Sequence, residues 1–212
     1  MNPLARLQRG LEEMYRIATG VDVGDFIVDA NGRDALAPDR RPREQLLVHE
    51  GSGAVEIGLF VDPSVVATLV RHDPRAALDD RNFAEFALAV EGVSHFVYAV
   101  WCAWCDRSVS ALELELQAEV DKYVTCLLVT APEREVSAWL RRRLFHDVAW
   151  EADLDADERD RYRAANDHAQ RYAAWLEDSF VTPRRIPAML DELRWFYRQP
   201  LARKLAVIAQ AA

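Results

Sequence analysis

The sequence predicts an α+β protein that is predominantly helical. A small N-terminal antiparallel sheet, a hairpin plus one strand, is expected to pack on a helical body with a long central helical hairpin. Three observations lead there. Strand-like runs are grouped ahead of the helices instead of alternating with them, which separates α+β from parallel α/β architecture. Beyond Asp62, apolar residues recur at steps of three and four almost to the end. Half of the 212 residues are hydrophobic and 8 are glycine, which excludes a disordered or low-complexity chain.

Leu4, Leu7, Leu11, Met14, Tyr15 and Ala18 have the spacing of an amphipathic helix, with Thr19-Gly20 as its stop. Val21–Val28 is short and rich in β-branched residues and reads as a strand, followed by a turn at Asp29-Ala30-Asn31-Gly32. Charge and two prolines make 32–43 an exposed loop. Glu44–His49 and Ala54–Val61 form a hairpin around Gly51-Ser52-Gly53. Asp62-Pro63 starts a helix over Val65–Val70, with Asp62 as N-cap. Helices follow over Phe83–Cys105, Ser110–Thr130, Glu133–Phe145, Asp157–Phe180, Pro187–Arg198 and Leu201–Gln210, with prolines punctuating the later junctions. The acidic run Glu151–Glu158 reads as a loop leading into a helix N-terminus, where the macrodipole favours carboxylates. The expected organisation is a core over 1–150 and a helical extension over 151–212 packed on it as one domain.

A formal net charge of -9 opposes the counterion-release chemistry of nucleic-acid binding and attraction to anionic lipid. Cys102, Cys105 and Cys126 are an odd set within apolar helices, which suits a reducing compartment. The first ten residues lack the apolar region of a secretion signal, so a cytoplasmic location is expected. The longest uncharged run, Gly92–Cys105, is about fourteen residues, short of the ~20 that cross a bilayer, and reads as a core helix without membrane contact.

Chemistry is sparse. Glu91, His95, Tyr98 and Cys102 form one stripe of the first long helix, and Glu113 and Gln117 share a face of the second. If the helices pack, Glu91, His95, Tyr98, Glu113 and Gln117 outline a polar pocket in which His95, oriented by Glu91, has the chemistry of a base. Inward carboxylates and imidazoles also build metal centres in bundles, but Glu-x-x-x-His occurs once and no metal is assigned. Ser110-Ala-Leu-Glu113 is a capping-box pattern that gives Glu113 a local partner. Glu115, Glu119 and Lys122 read as the solvated side of that helix. Trp101-Cys-Ala-Trp-Cys105 closes a helix, whereas a redox Cys-x-x-Cys opens one. Arg194, Trp195 and Arg198 give the C-terminal section a basic and aromatic surface suited to a protein partner. A protein-binding or adaptor module is therefore the leading expectation. An enzyme or small-ligand or metal binder using the polar pocket is the alternative, and no cofactor is specified.

Overall fold

The computed structural model describes residues 2–37, 41–51, 54–148 and 154–210. They fall into two compact units: Met1–Glu12 with Ile17–Arg107, and Glu13–Arg16 with Ser108–Ala212. The protein is a predominantly helical α+β fold with a small two-stranded antiparallel sheet.

In the first unit, α1 (Pro3–Tyr15) buries Leu4 and Leu11. It stops three residues before Ala18, because Arg16 turns into the left-handed region at φ 51°. The chain beyond is tied back to α1 by buried Gln8 and half-buried Glu12. Gln8 Nε2 donates to the Val21 carbonyl at 2.6 Å, its Oε1 accepts from the Val23 N–H at 2.8 Å, and Glu12 accepts from the Thr19 N–H at 2.9 Å.

The strand expected over Val21–Val28 is a 3-10 turn, Val23–Phe26, followed by a single parallel bridge from Ile27 to Leu59. Asp22 accounts for the difference. Its carboxylate accepts from the Gly24 N–H at 2.8 Å, offering the backbone a local alternative to a ladder. Asp29 likewise accepts from the Gly32 N–H at 2.7 Å and caps a short helix, α2 (Ala30–Leu36), where a turn and loop were expected. Arg33 from α2 is buried with its guanidinium 4.2 Å from the Phe60 ring centroid.

The hairpin forms as expected. Strand β1 (Glu44–Gly51) pairs with β2 (Ala54–Val61) in a register running from Glu44↔Val61 to Gly51↔Ala54, and the turn residues 52 and 53 lie outside the described residues. Gly58 leaves room for Val28, whose Cγ1 would lie 3.0 Å from an added Cβ. Asp62 caps α3 (Pro63–Arg71), accepting from the Ser64 N–H at 2.8 Å, and hydrogen bonding from the Ser64 hydroxyl first and its N–H second holds the carboxyl below the usual range. Between α3 and α4 (Phe83–Trp104), buried Asn82 donates to the His72 and Ala77 carbonyls and accepts from the Asp79 N–H, fixing the loop's course. Helix α4 packs on α3 and both strands. By length and composition it could cross a membrane, with a mean hydropathy of 1.4 over eighteen residues, but 72% of that window is buried inside the protein.

The second unit contains α5 (Ala111–Val129), α6 (Arg134–Arg141), α7 (Ala156–Leu176), α8 (Ile186–Tyr197) and α9 (Leu201–Gln210). Thus the two long helices expected as a central hairpin are both present, α4 in the first unit and α5 in the second. Leu116, Val120, Val124 and Leu127 of α5 are buried, and α5 packs against α7, which turns in the small side chains Ala165, Ala169 and Ala173. Asp155 and Glu158 close a reciprocal capping box at the start of α7, while 151–153 of the acidic run lie outside the described residues.

Helices α6 and α7 each end one turn sooner than their periodicity predicts and continue as π-helical turns, Arg142–His146 and Glu177–Val181. The residues at these transitions are joined: Arg141 donates to Glu177 at 3.1 Å, and Ser137 donates to the same carboxylate at 2.5 Å while receiving the Tyr123 hydroxyl at 2.7 Å.

Candidate functional site

The most concentrated polar chemistry lies inside the second unit, on one stripe of α5. Glu113, Gln117 and Asp121 follow at intervals of four residues, so their side chains stack along one face. All three are buried, at 4%, 0% and 1% exposure. An amphipathic helix would place apolar residues here, and a buried carboxylate requires a partner.

Those partners come from both ends of the chain. Tyr15, the last residue of α1, donates its hydroxyl to Asp121 Oδ1, and Gln117 Nε2 donates to the same oxygen at 2.8 Å and to the Tyr15 oxygen at 3.2 Å. With its amide nitrogen held there, Gln117 presents Oε1 to the other side, where Lys204 of α9 donates to it at 2.7 Å. The Lys204 ammonium, 0% exposed, also lies 3.8 Å from Glu113 Oε1 and 5.3 Å from the Phe196 ring centroid. Tyr15 stacks on Tyr197 at 3.9 Å, and Phe196 stacks on Tyr172 at 4.1 Å, so the network has aromatic walls. Burial first, and then the Asp121 charge, push the Tyr15 phenol well above its ordinary range, and it acts as a neutral donor.

Two of these five residues, Glu113 and Gln117, are readable as candidates from sequence. The Ser110 half of the predicted capping box is also present, with the Glu113 N–H donating to Ser110 at 3.2 Å. The reverse face of α5 departs from expectation. Glu115 and Lys122 are buried, with Arg161 4.0 Å from Glu115 and Lys122 paired to Glu119 at 2.7 Å. Packing against α7 covers that side, which helical periodicity alone assigns to solvent.

Glu91, His95 and Tyr98 belong to the first unit. His95 Nδ1 lies 3.6 Å from Glu44 Oε1, both side chains being 8% exposed. Glu91 is half-buried. Tyr98 stacks on Trp101 at 5.8 Å, with the Arg107 guanidinium 5.7 Å from its ring centroid. Glu44 is an acidic neighbour of His95 from β1, a tertiary pairing that helix spacing does not reveal.

Gly92 makes that pairing possible, because an added Cβ would sit 2.7 Å from Glu44 Cγ. Alanine for glycine inside a helix would ordinarily gain about 1 kcal/mol. Here the overlap with a buried side chain outweighs the gain, and Gly92→Ala is expected to lose about 1 kcal/mol net in urea unfolding. Adding Glu44→Ala should turn the same Gly92→Ala substitution into a stabilising one.

The cysteines are free, with Cys102 buried and Cys105 exposed at the carbonyl end of α4. That helix end does not provide the N–H groups that activate a redox thiol. Among the described residues, no three His, Cys, Asp or Glu side chains gather as a metal ion would require.

The C-terminal arginines have structural partners. Arg194 Nε donates to the Met14 carbonyl at 2.9 Å, and Arg198 donates to the Tyr15 and Arg16 carbonyls at 2.9 and 3.2 Å. Together they cap the C-terminal end of α1 within the second unit. Trp195, between them in sequence, is 40% exposed and has the Arg203 guanidinium 5.8 Å from its ring centroid. Compared with models of protein families, with curated proteins and with solved structures, the chain matches none.

Proposed function

We propose that this protein is a protein-binding module whose contact surface is centred on Trp195 and Arg203. The observation that carries the reading is the Trp195 ring, exposed on α8 with the α9 guanidinium beside it. Tryptophan and arginine are the side chains that most often dominate protein interfaces, since both bring large area and directional polar contacts. Arg194 and Arg198 support this surface from beneath by holding α8 to the end of α1. The candidate catalytic histidine faces a buried carboxylate, and the α5 stripe has polar partners within the protein. Both features favour structural roles for those groups over substrate chemistry.

The immobilised full-length protein, incubated with lysate of its source cells, tests the proposal. Proteins retained by the wild type should bind Trp195→Ala and Arg203→Glu about ten-fold or more weakly, about 1.4 kcal/mol. Trp104→Ala, at a 70% exposed tryptophan of the first unit, should retain them. Equal retention by wild type and both C-terminal variants would exclude this surface.

A further inference from the structure

We propose that the buried stripe of α5 is a binding site for a primary alkylammonium group, filled within the chain by Lys204, and that α9 is the exchangeable element carrying this occupant. The inference does not depend on the Trp195 surface.

The site has the parts that ammonium recognition needs. Gln117 Oε1 provides a hydrogen-bond acceptor at 2.7 Å, Glu113 provides negative charge at 3.8 Å, and the Phe196 ring lies 5.3 Å away. The acceptor is oriented before any cation arrives, because Asp121 and Tyr15 hold the amide nitrogen of Gln117 on the opposite side. A lysine side chain reaches such a site as a compact charge on a flexible stem, whereas the planar fork of arginine would find one amide oxygen and one carboxylate poorly arranged for bidentate contact.

The manner in which α9 is held makes it exchangeable. Of its ten residues, only Lys204 and Ile208 are buried. A helix of this length is marginal by itself, so its order depends on docking. One of its two buried anchors is ionic, and such a contact contributes specificity more than net stability because the ammonium must be desolvated. Pro200 immediately precedes the helix and marks the joint with α8. Local release of α9 would return the Lys204 ammonium to water, so opening leaves no cation stranded in the interior.

The test is hydrogen exchange of the full-length wild type in increasing n-butylammonium chloride, with equal concentrations of n-butanol and of sodium chloride as controls. The α9 amides should exchange about ten-fold or more faster than those of α5. Butylammonium should accelerate α9 exchange further by occupying the open site, and neither control should do so. In Lys204→Ala, butylammonium should raise the melting temperature saturably, and adding Glu113→Gln should remove most of that rise. Exchange of α9 in step with α5, or equal responses to butylammonium and butanol, would overturn the proposal. The wild-type exchange experiment decides the matter even if Lys204→Ala does not fold.

Discussion

Lys204→Ala is expected to destabilise the second unit by about 3–5 kcal/mol, the range for removing one member of a buried ion pair. The variant leaves Glu113, at 4% exposure, and Gln117 Oε1 without the ammonium that approaches both. Urea unfolding followed by a probe in this unit measures the loss. Glu113→Gln added to Lys204→Ala should recover about 1–2 kcal/mol, since a neutral amide is less costly to leave inside than a carboxylate. Lys204→Met separates charge from packing, because it keeps most of the apolar stem. A loss below about 1 kcal/mol in Lys204→Met would show that the ammonium is irrelevant. The exchange experiment sets a bound on this result. Where release of α9 also admits water to Glu113, the cost of Lys204→Ala cannot exceed the free energy at which α9 opens.

The sequence and the structure agree where neighbouring residues decide the outcome. Phe83–Trp104 and Ala111–Val129 fall within a residue or two of the ranges read from apolar periodicity, and Asp62-Pro63 announces α3. Polar side chains that redirect the backbone were less legible. Asp22 and Asp29 convert a predicted strand and turn into a 3-10 turn and a short helix. The π turns were not visible either, since apolar spacing does not distinguish an α from a π turn, and the cluster around Glu177 beside them is tertiary. In the polar network, Glu113 and Gln117 were readable from their four-residue step, and one more step leads to Asp121. Tyr15 and Lys204 were not, because they reach α5 from 106 and 87 residues away along the chain. The same limit hid Glu44 beside His95. An isolated buried charge on an amphipathic helix announces that a partner exists without naming it.

Alkaline pH is the second large lever on the second unit, and its direction follows from four buried acids. Burial pushes the Cys126 thiol up to about 12 from an ordinary 9.0 and the Tyr123 phenol up to about 12 from an ordinary 10.0. Tyr15 and Tyr172 are also raised, by burial first and then by Asp121 and Glu192 respectively. A raised folded pKa means that, above the unfolded value, the unfolded chain gives up a proton that the native protein keeps, so stability falls as pH rises. The contribution is intact below pH 9.0, declines first through Cys126, and declines further above 10.0 as the tyrosines join. Each tenfold difference in proton affinity between the folded and unfolded chain corresponds to about 1.4 kcal/mol, so Cys126 and Tyr123 together remove stability on the order of several kcal/mol by about pH 12, a large part of what many domains possess. Unfolding of the second unit within this window is the expected outcome, with tyrosinate absorbance appearing together with the loss of helical circular dichroism. Tyr123→Phe should lessen the decline above 10.0 by its own share, with Tyr15 and Tyr172 still contributing, while leaving the earlier Cys126 component in place. In a Tyr162→Phe background, which removes the half-buried phenol of α7, tyrosinate absorbance rising well ahead of helix loss would instead mean that the buried phenols reach solvent in the folded protein, which is incompatible with Tyr15 as the buried neutral donor to Asp121.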